Sequence, residues 1–159
     1  MKYYTGVGSR STPPHILAII TKIAMKLDTL GYTLRSGGAK GADTAFEIGA
    51  LNKNIYYARD ATDKAMQIAS QFHPNWTACS QYTKMLHGRN AFQVLGKDLN
   101  HPSTFLLCWT PDGCIDHNTR TRQTGGTGTA ISIANAHNVP VSNLGIADTL
   151  KDWTEWLKK

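Results

Sequence analysis

The stretch Tyr32-Thr-Leu-Arg-Ser-Gly-Gly-Ala-Lys-Gly-Ala-Asp43 decides the predicted fold, because it joins a strand to a helix through a glycine-rich turn. Tyr32 to Arg35 is short and β-prone, whereas Ala42 to Leu51 has the composition of a helix. Glycines let a turn backbone approach an anion, and the N–H groups and dipole at the start of the next helix attract one. The stretch therefore predicts an α/β fold and, at the turn, a phosphate site.

Strands and helices alternate in the same way along the rest of the chain. Strands are predicted from Lys2 to Val7, Tyr32 to Arg35, Ile55 to Ala58, Thr104 to Trp109 and Val139 to Ser142, and helices from His15 to Leu30, Ala42 to Leu51, Asp60 to Phe72, Tyr82 to Leu99, Gly126 to His137 and Ile146 to Lys158. This alternation is typical of a Rossmann-like three-layer sandwich. We expect one α/β domain over residues 1–159, with a mostly parallel central sheet of about five strands and helices on both faces.

Composition limits the expected partners and compartment. A chain of 159 residues with 41% apolar residues can build one sizeable core, and its formal net charge of +6 favours an anionic partner. The three cysteines form no Cys-x-x-Cys pair, which argues for a reducing compartment. No segment reaches the roughly 18 apolar residues that span a bilayer. We therefore expect a cytoplasmic protein without a membrane partner.

Two further turns resemble the first in chemistry. Gly6-Val-Gly-Ser-Arg-Ser-Thr12 follows the first strand and supplies hydroxyls, N–H groups and an arginine that can form paired hydrogen bonds with a phosphate. Thr124-Gly-Gly-Thr-Gly-Thr129 opens the helix after the apolar strand. In a doubly wound sheet such turns meet at the carboxyl edge of the strands. The three turns together predict one ligand site.

Several of these residues have a second interpretation. Asp43 either complements the helix dipole or binds a ribose hydroxyl. Trp109 ends the apolar strand beside the expected site, where it either stacks on a base or packs in the core. Cys108, Cys114 and His117 lie close in sequence but match no zinc spacing, so neither a metal nor a cofactor is predicted.

The combination of Gly-Ser-Arg, Ser-Gly-Gly-Ala-x-Gly-Ala-Asp, a middle Arg89-Asn90 and Gly-Gly-Thr-Gly-Thr resembles the SLOG superfamily. This superfamily includes the Lonely Guy (LOG) phosphoribohydrolases and DNA-processing protein A (DprA). The resemblance covers nearly the whole chain. It implies a nucleotide-binding Rossmann-like domain, and the relatives commonly form homo-oligomers.

The LOG enzymes cleave an N-glycosidic bond with an arginine and a glutamate. By resemblance Arg89 matches the arginine, and Asn90 replaces the lysine that follows it. The glutamate position falls on Ser132, which cannot replace a carboxylate in acid–base chemistry. Glu47, Asp43 or Asp116 would have to take that role from another direction.

The expected function is therefore binding of a nucleotide or ADP-ribose-like phosphate ligand, as a sensor or sequestering protein. One alternative is a LOG-like N-glycoside hydrolase that uses Arg89, with Glu47 as a candidate carboxylate. The other is DprA-like binding of single-stranded DNA, which the positive charge favours. The residues expected to bind the ligand are Gly8, Ser9, Arg10, Ser36, Gly37, Gly38, Ala39, Lys40, Gly41, Asp43, Arg89, Asn90, Trp109, Gly125, Gly126, Thr127, Gly128 and Thr129.

Overall fold

A parallel sheet of five strands forms the middle layer of the computed structural model, which describes all 159 residues. The strands are β1 (Lys2–Gly8), β2 (Tyr32–Ser36), β3 (Lys53–Ile55), β4 (Leu106–Trp109) and β5 (Val141–Asn143). Their order across the sheet is β3-β2-β1-β4-β5, and every neighbouring pair is parallel. The strand order therefore reverses at β1.

Six α-helices cover the two faces of the sheet. They are α1 (Pro14–Thr29), α2 (Ala42–Gly49), α3 (Asp63–Ser70), α4 (Gln81–Leu95), α5 (Thr127–Ala136) and α6 (Ala147–Leu157). One hydrophobic core lies between the sheet and α3, α4 and α5, and the other lies between the sheet and α1, α2 and α6. The predicted Rossmann-like three-layer sandwich is thus confirmed. None of the helices has the length and apolarity needed to cross a membrane.

Helix α1 shows how the sequence pattern places an element. Its buried residues Ile16, Ile20, Ile23 and Leu27 recur at spacings of three and four, which puts them on one face of the helix. That face packs against the sheet, where Ile20 is fully buried.

The third strand and the third and fourth helices differ most from their predicted positions. Helix α3 spans Asp63–Ser70 rather than Asp60 to Phe72. The strand was expected from Ile55 to Ala58, but β3 spans Lys53–Ile55, and Ala58 begins a short 3-10 turn. The sequence misleads here because β3 is an exposed edge strand, so its residues need not be apolar. Helix α4 ends at Leu95 rather than Leu99, because the following Gly96 has a φ of 83°.

Replacing a buried isoleucine of α1 should destabilise the fold far more than replacing an exposed one of α2. We expect Ile20→Ala to lower the free energy of unfolding by about 2–5 kcal/mol, since it leaves a cavity where the Ile20 side chain is fully buried. Ile48, which is 71% exposed, is the matched control, and Ile48→Ala should change the free energy by less than about 0.5 kcal/mol. Urea unfolding followed by circular dichroism measures both, and equal losses would contradict the assigned core.

Candidate functional site

A cavity of about 400 Å³ opens at the carboxyl edge of the sheet, beside the point where β1 adjoins β4. All three turns predicted from the sequence contribute to it, and helix α4 forms one of its sides. Ligands of doubly wound sheets bind at this reversal of strand order. The lining residues are Val7, Gly8, Ser9, Arg10, Ala39, Asp43, Thr83, Leu86, His87, Arg89, Asn90, Gln93, Gln123, Thr124, Gly125, Gly126 and Thr127.

The first two turns pack directly on each other. A Cβ atom at Gly41 would lie 2.6 Å from the carbonyl oxygen of Ser9 and 2.8 Å from the Cα of Arg10. Gly41 also has a φ of 86°, a conformation that other residues rarely adopt. The glycine therefore lets the second turn hold the backbone of the first at the cavity.

The third turn presents open backbone to the cavity. Gly125 and Gly126 have no protein atom within 4 Å of where a Cβ would be. The N–H groups of Gly126 and Thr127 donate no hydrogen bond within the protein, and Thr127 is the first residue of α5. Unpaired N–H groups at the start of a helix attract anions. This part of the wall is therefore suited to a phosphate.

Two consecutive residues of α4 connect the second and third turns. The Nη1 of Arg89 donates a hydrogen bond of 2.7 Å to the carbonyl oxygen of Gly37. The Nδ2 of Asn90 donates one of 3.2 Å to the carbonyl oxygen of Gly126. The pair therefore has a positioning role, and Arg89 also contributes its charge to the cavity.

Gln93 lies one helical turn beyond Arg89 and was missed by the sequence reasoning. Its side chain is 1% exposed and lines the cavity, yet neither its amide oxygen nor its amide nitrogen has a hydrogen-bond partner. An unpaired buried amide costs about 1–3 kcal/mol. A ligand that accepts from and donates to this amide would remove that penalty. The available signal was the four-residue spacing from Arg89 on one helix.

Asp43 is the buried carboxyl group of the cavity. It is 4% exposed, and its Oδ2 accepts a hydrogen bond from the N–H of Ala39 at 3.4 Å. Burial raises the pKa of the Asp43 carboxyl to about 6, although the nearby Arg89 and backbone N–H groups favour its charged form. The group can therefore exchange a proton near neutral pH.

His87 also lines the cavity and was not predicted. Burial, with His73 and the guanidinium groups of Arg120 and Arg89, lowers the pKa of His87 to about 4. The imidazole is therefore neutral at pH 7, and its Nδ1 lies 3.0 Å from the hydroxyl of Thr129.

Some predicted residues border the cavity without lining it. Ser36 is buried at the end of β2. Gly38 and Lys40 line an adjacent cavity. At the third turn, Gly128 lies under the guanidinium of Arg120, and Thr129 contacts His87. These residues shape the turns, whereas Gly125, Gly126 and Thr127 face the opening.

The structure does not bring two predicted residues to the cavity. Trp109 packs against the core under α1, α2 and α6, because successive residues of a strand point to opposite faces. Glu47 lies on α2 with its Oε2 3.8 Å from the Nζ of Lys53, which begins β3 at the opposite edge of the sheet. Neither residue lines this cavity, so base stacking by Trp109 and catalysis by Glu47 stay predictions from the sequence without a place in this site.

The residue at the LOG glutamate position also lies outside the cavity lining. Ser132 is 1% exposed, and its Oγ lies 2.6 Å from the Nδ1 of His117 and accepts a hydrogen bond of 3.0 Å from Arg120. Asp116 accepts a hydrogen bond from the N–H of Asn118 at 2.8 Å and does not line the cavity either. Asp43 is thus the single carboxyl group in its lining.

The fold and the site define a Rossmann-like α/β protein with a polar, cationic cavity where the strand order reverses. No protein-family model, curated protein or solved structure matches the chain. Membership of the SLOG superfamily therefore remains a prediction from the sequence motifs.

Asp43→Asn should stabilise the protein in a pH-dependent way. Because the folded-state pKa of about 6 lies above the unfolded value, Asp43 reduces stability as pH rises from about 4 to 6. We expect the variant to exceed the wild type by about 1–3 kcal/mol at pH 7 and to match it below about pH 4. Urea unfolding across this range measures the difference.

Comparison with the wild type at each pH is essential because His87 acts in the opposite direction. Its lowered pKa makes stability fall as pH decreases over a similar range, and it does so in both proteins. A stability difference that is independent of pH would contradict a raised pKa for Asp43.

Proposed function

We propose that this protein binds a nucleotide or nucleotide-derived ligand and holds its phosphate in the cavity between the three turns. The observation that carries the proposal is the meeting of the three turns at one opening, where Gly126 and Thr127 have unpaired N–H groups. A phosphate with its several acceptor oxygens suits such N–H groups.

The cations around the opening support an anionic ligand. The Arg10 side chain is exposed, lines the cavity and is in neither of the structure's two salt bridges. Arg89 lines the same cavity and is likewise outside those salt bridges. Burial lowers the pKa of the Arg89 guanidinium; the nearby Asp43 opposes this shift, whereas the charge of Arg10 adds to it. A bound phosphate would relieve this repulsion between like charges.

The wider role follows from the same site and from the resemblance. We propose a SLOG-type protein that senses or sequesters its ligand. The buried amide of Gln93 and the carboxyl of Asp43 would then bind the sugar hydroxyls beside the phosphate, since both groups accept hydrogen bonds and the amide also donates.

Placing a negative charge in the third turn should abolish binding. Gly126→Asp should weaken AMP and ADP-ribose binding by at least about 100-fold in calorimetric titration, because its carboxylate would repel the phosphate. The fold should survive, since Gly126 has a φ of −62° and open space at its Cβ position.

Gly126→Asn is the matched control, because it has nearly the same shape without the charge. It should bind more tightly than the Asp variant, and circular dichroism should show the same fold in both. Wild-type affinity in Gly126→Asp would exclude this cavity as the phosphate site.

A second candidate function is hydrolysis of the N-glycosidic bond of the bound nucleotide. The position of Asp43 favours it, because this buried carboxyl lines the same cavity as Arg89. A water molecule would add to the anomeric carbon and lose a proton to the Asp43 carboxylate. The bond to the base would break, the base would take a proton from solvent, and the Asp43 carboxyl would return its proton to solvent.

Incubation with AMP, dAMP and ADP-ribose distinguishes the two candidates. A binding protein should release no free base above the uncatalysed background in a chromatographic assay. Turnover that Asp43→Asn abolishes, while AMP binding persists, would replace the binding role with the hydrolase. Turnover that persists in Asp43→Asn would contradict the assignment of this carboxyl as the acid–base group.

A further inference from the structure

A second cavity, of about 460 Å³, adjoins the one described above. The two share the residues Arg10, Ala39, Leu86 and Arg89. We call the first the inner compartment. The outer compartment is the second cavity, whose remaining lining residues are Gly37, Gly38, Lys40, Tyr57, Ala58, Arg59 and Tyr82.

Positive charge dominates the outer compartment. Arg10, Lys40, Arg59 and Arg89 line it, whereas no aspartate or glutamate does. None of the four cations forms a salt bridge, because the two salt bridges of the structure lie elsewhere. Asp43, which lines the inner compartment, partly offsets the charge of Arg89. The remaining cations repel one another, and an anion removes that repulsion. The outer compartment is therefore suited to a phosphate of its own.

Two tyrosines give the outer compartment an aromatic surface. Tyr57 packs on Gly38, where a Cβ would lie 3.0 Å from its ring, and the guanidinium of Arg59 lies 4.5 Å from the ring centre. Tyr57 thus orients Arg59 towards the compartment. The Tyr82 side chain is 63% exposed and takes part in none of the aromatic or cation–π pairs. Its ring is available to stack on a planar group.

Helix α4 forms part of both compartments. Tyr82, Leu86 and Arg89 follow one another at helical spacing and line the outer compartment. Asn90 and Gln93 belong to the same helix, and their side chains line the inner compartment. Because Arg89 belongs to both linings, a ligand group beside it is in reach of both compartments.

We propose that the two compartments bind one molecule with two adjacent phosphates, namely a free dinucleotide whose pyrophosphate lies between Arg10 and Arg89. The proposal rests on the proposed function for the inner compartment and adds the second half of the ligand. Lys40 and Arg59 attract the second phosphate, and the planar or sugar end beyond it lies against Tyr82.

The shared arginines favour a pyrophosphate over a nucleic-acid strand. Two anion positions that contact the same pair of guanidinium groups are neighbours, as in a pyrophosphate, whereas consecutive phosphates of a strand are separated by a sugar. Volumes of about 400 and 460 Å³ also lie within the usual range for bound small molecules and cofactors.

Calorimetric titration of AMP and ADP-ribose into three single variants tests the proposal. Arg59→Gln and Tyr82→Ala should each weaken ADP-ribose binding by about tenfold or more while changing AMP binding by less than about twofold. Lys64→Gln is the charge-matched control, because Lys64 is an exposed cation of α3 outside both linings, and it should change neither affinity.

The outcomes separate this proposal from the one on which it rests. If wild-type protein binds neither AMP nor ADP-ribose, both proposals are wrong. If AMP binds but ADP-ribose binds no more tightly, or Arg59→Gln leaves the ADP-ribose affinity unchanged, the inner compartment stands and the dinucleotide proposal is overturned. Tighter, steeply salt-dependent binding of a ten-nucleotide thymidine strand than of ADP-ribose would also overturn it in favour of single-stranded DNA.

Discussion

The reversal of strand order at β1 constrains the position of every residue in the candidate site. The chain builds β2 and β3 on one side of β1 and then crosses to place β4 and β5 on the other. The helices that follow β1 and β2 therefore cover one face, while α4 and α5 cover the other. Turns that leave neighbouring strands for opposite faces diverge, and the space between them is the cavity. The polar residues there depend on this topology for their proximity.

Helix α4 holds the diverging turns at a fixed distance. Arg89 and Asn90 bond to carbonyl oxygens of the second and third turns, so two adjacent side chains connect segments almost 90 residues apart in sequence. In the same cavity the buried amide of Gln93 has no hydrogen-bond partner, and burial raises the pKa of the Asp43 carboxyl although Arg89 and backbone N–H groups favour its charged form. Such groups reduce the stability of the free protein. A ligand bound in the cavity would supply the missing hydrogen-bond partners. Binding sites commonly show this trade-off, in which groups that serve binding reduce the stability of the free protein.

The sequence predicted the features that depend on neighbouring residues. It did not predict the features that depend on burial or on the face of a strand from which a side chain projects. The sequence predicts helix α1 and the glycine turns, because the spacing of apolar residues and the backbone freedom of glycine are properties of short segments. The exposed strand β3 was misplaced because its edge position, which the sequence does not reveal, removes the need for apolar residues. Trp109 was assigned to the ligand site because the end of a strand lies near it, but the strand's pleat turns this side chain to the opposite face.

The sequence by itself determined the alternation of strands and helices, the three turns and the excess of positive charge, since each of these depends only on neighbouring residues or on composition. Tertiary structure alone decided which carboxyl group enters the cavity, excluding Glu47 and retaining Asp43. It also added Gln93, His87 and the outer compartment, with Tyr82 and Arg59. The physical reason is that burial and charge pairing depend on segments distant in sequence, and these meet only when the sheet forms.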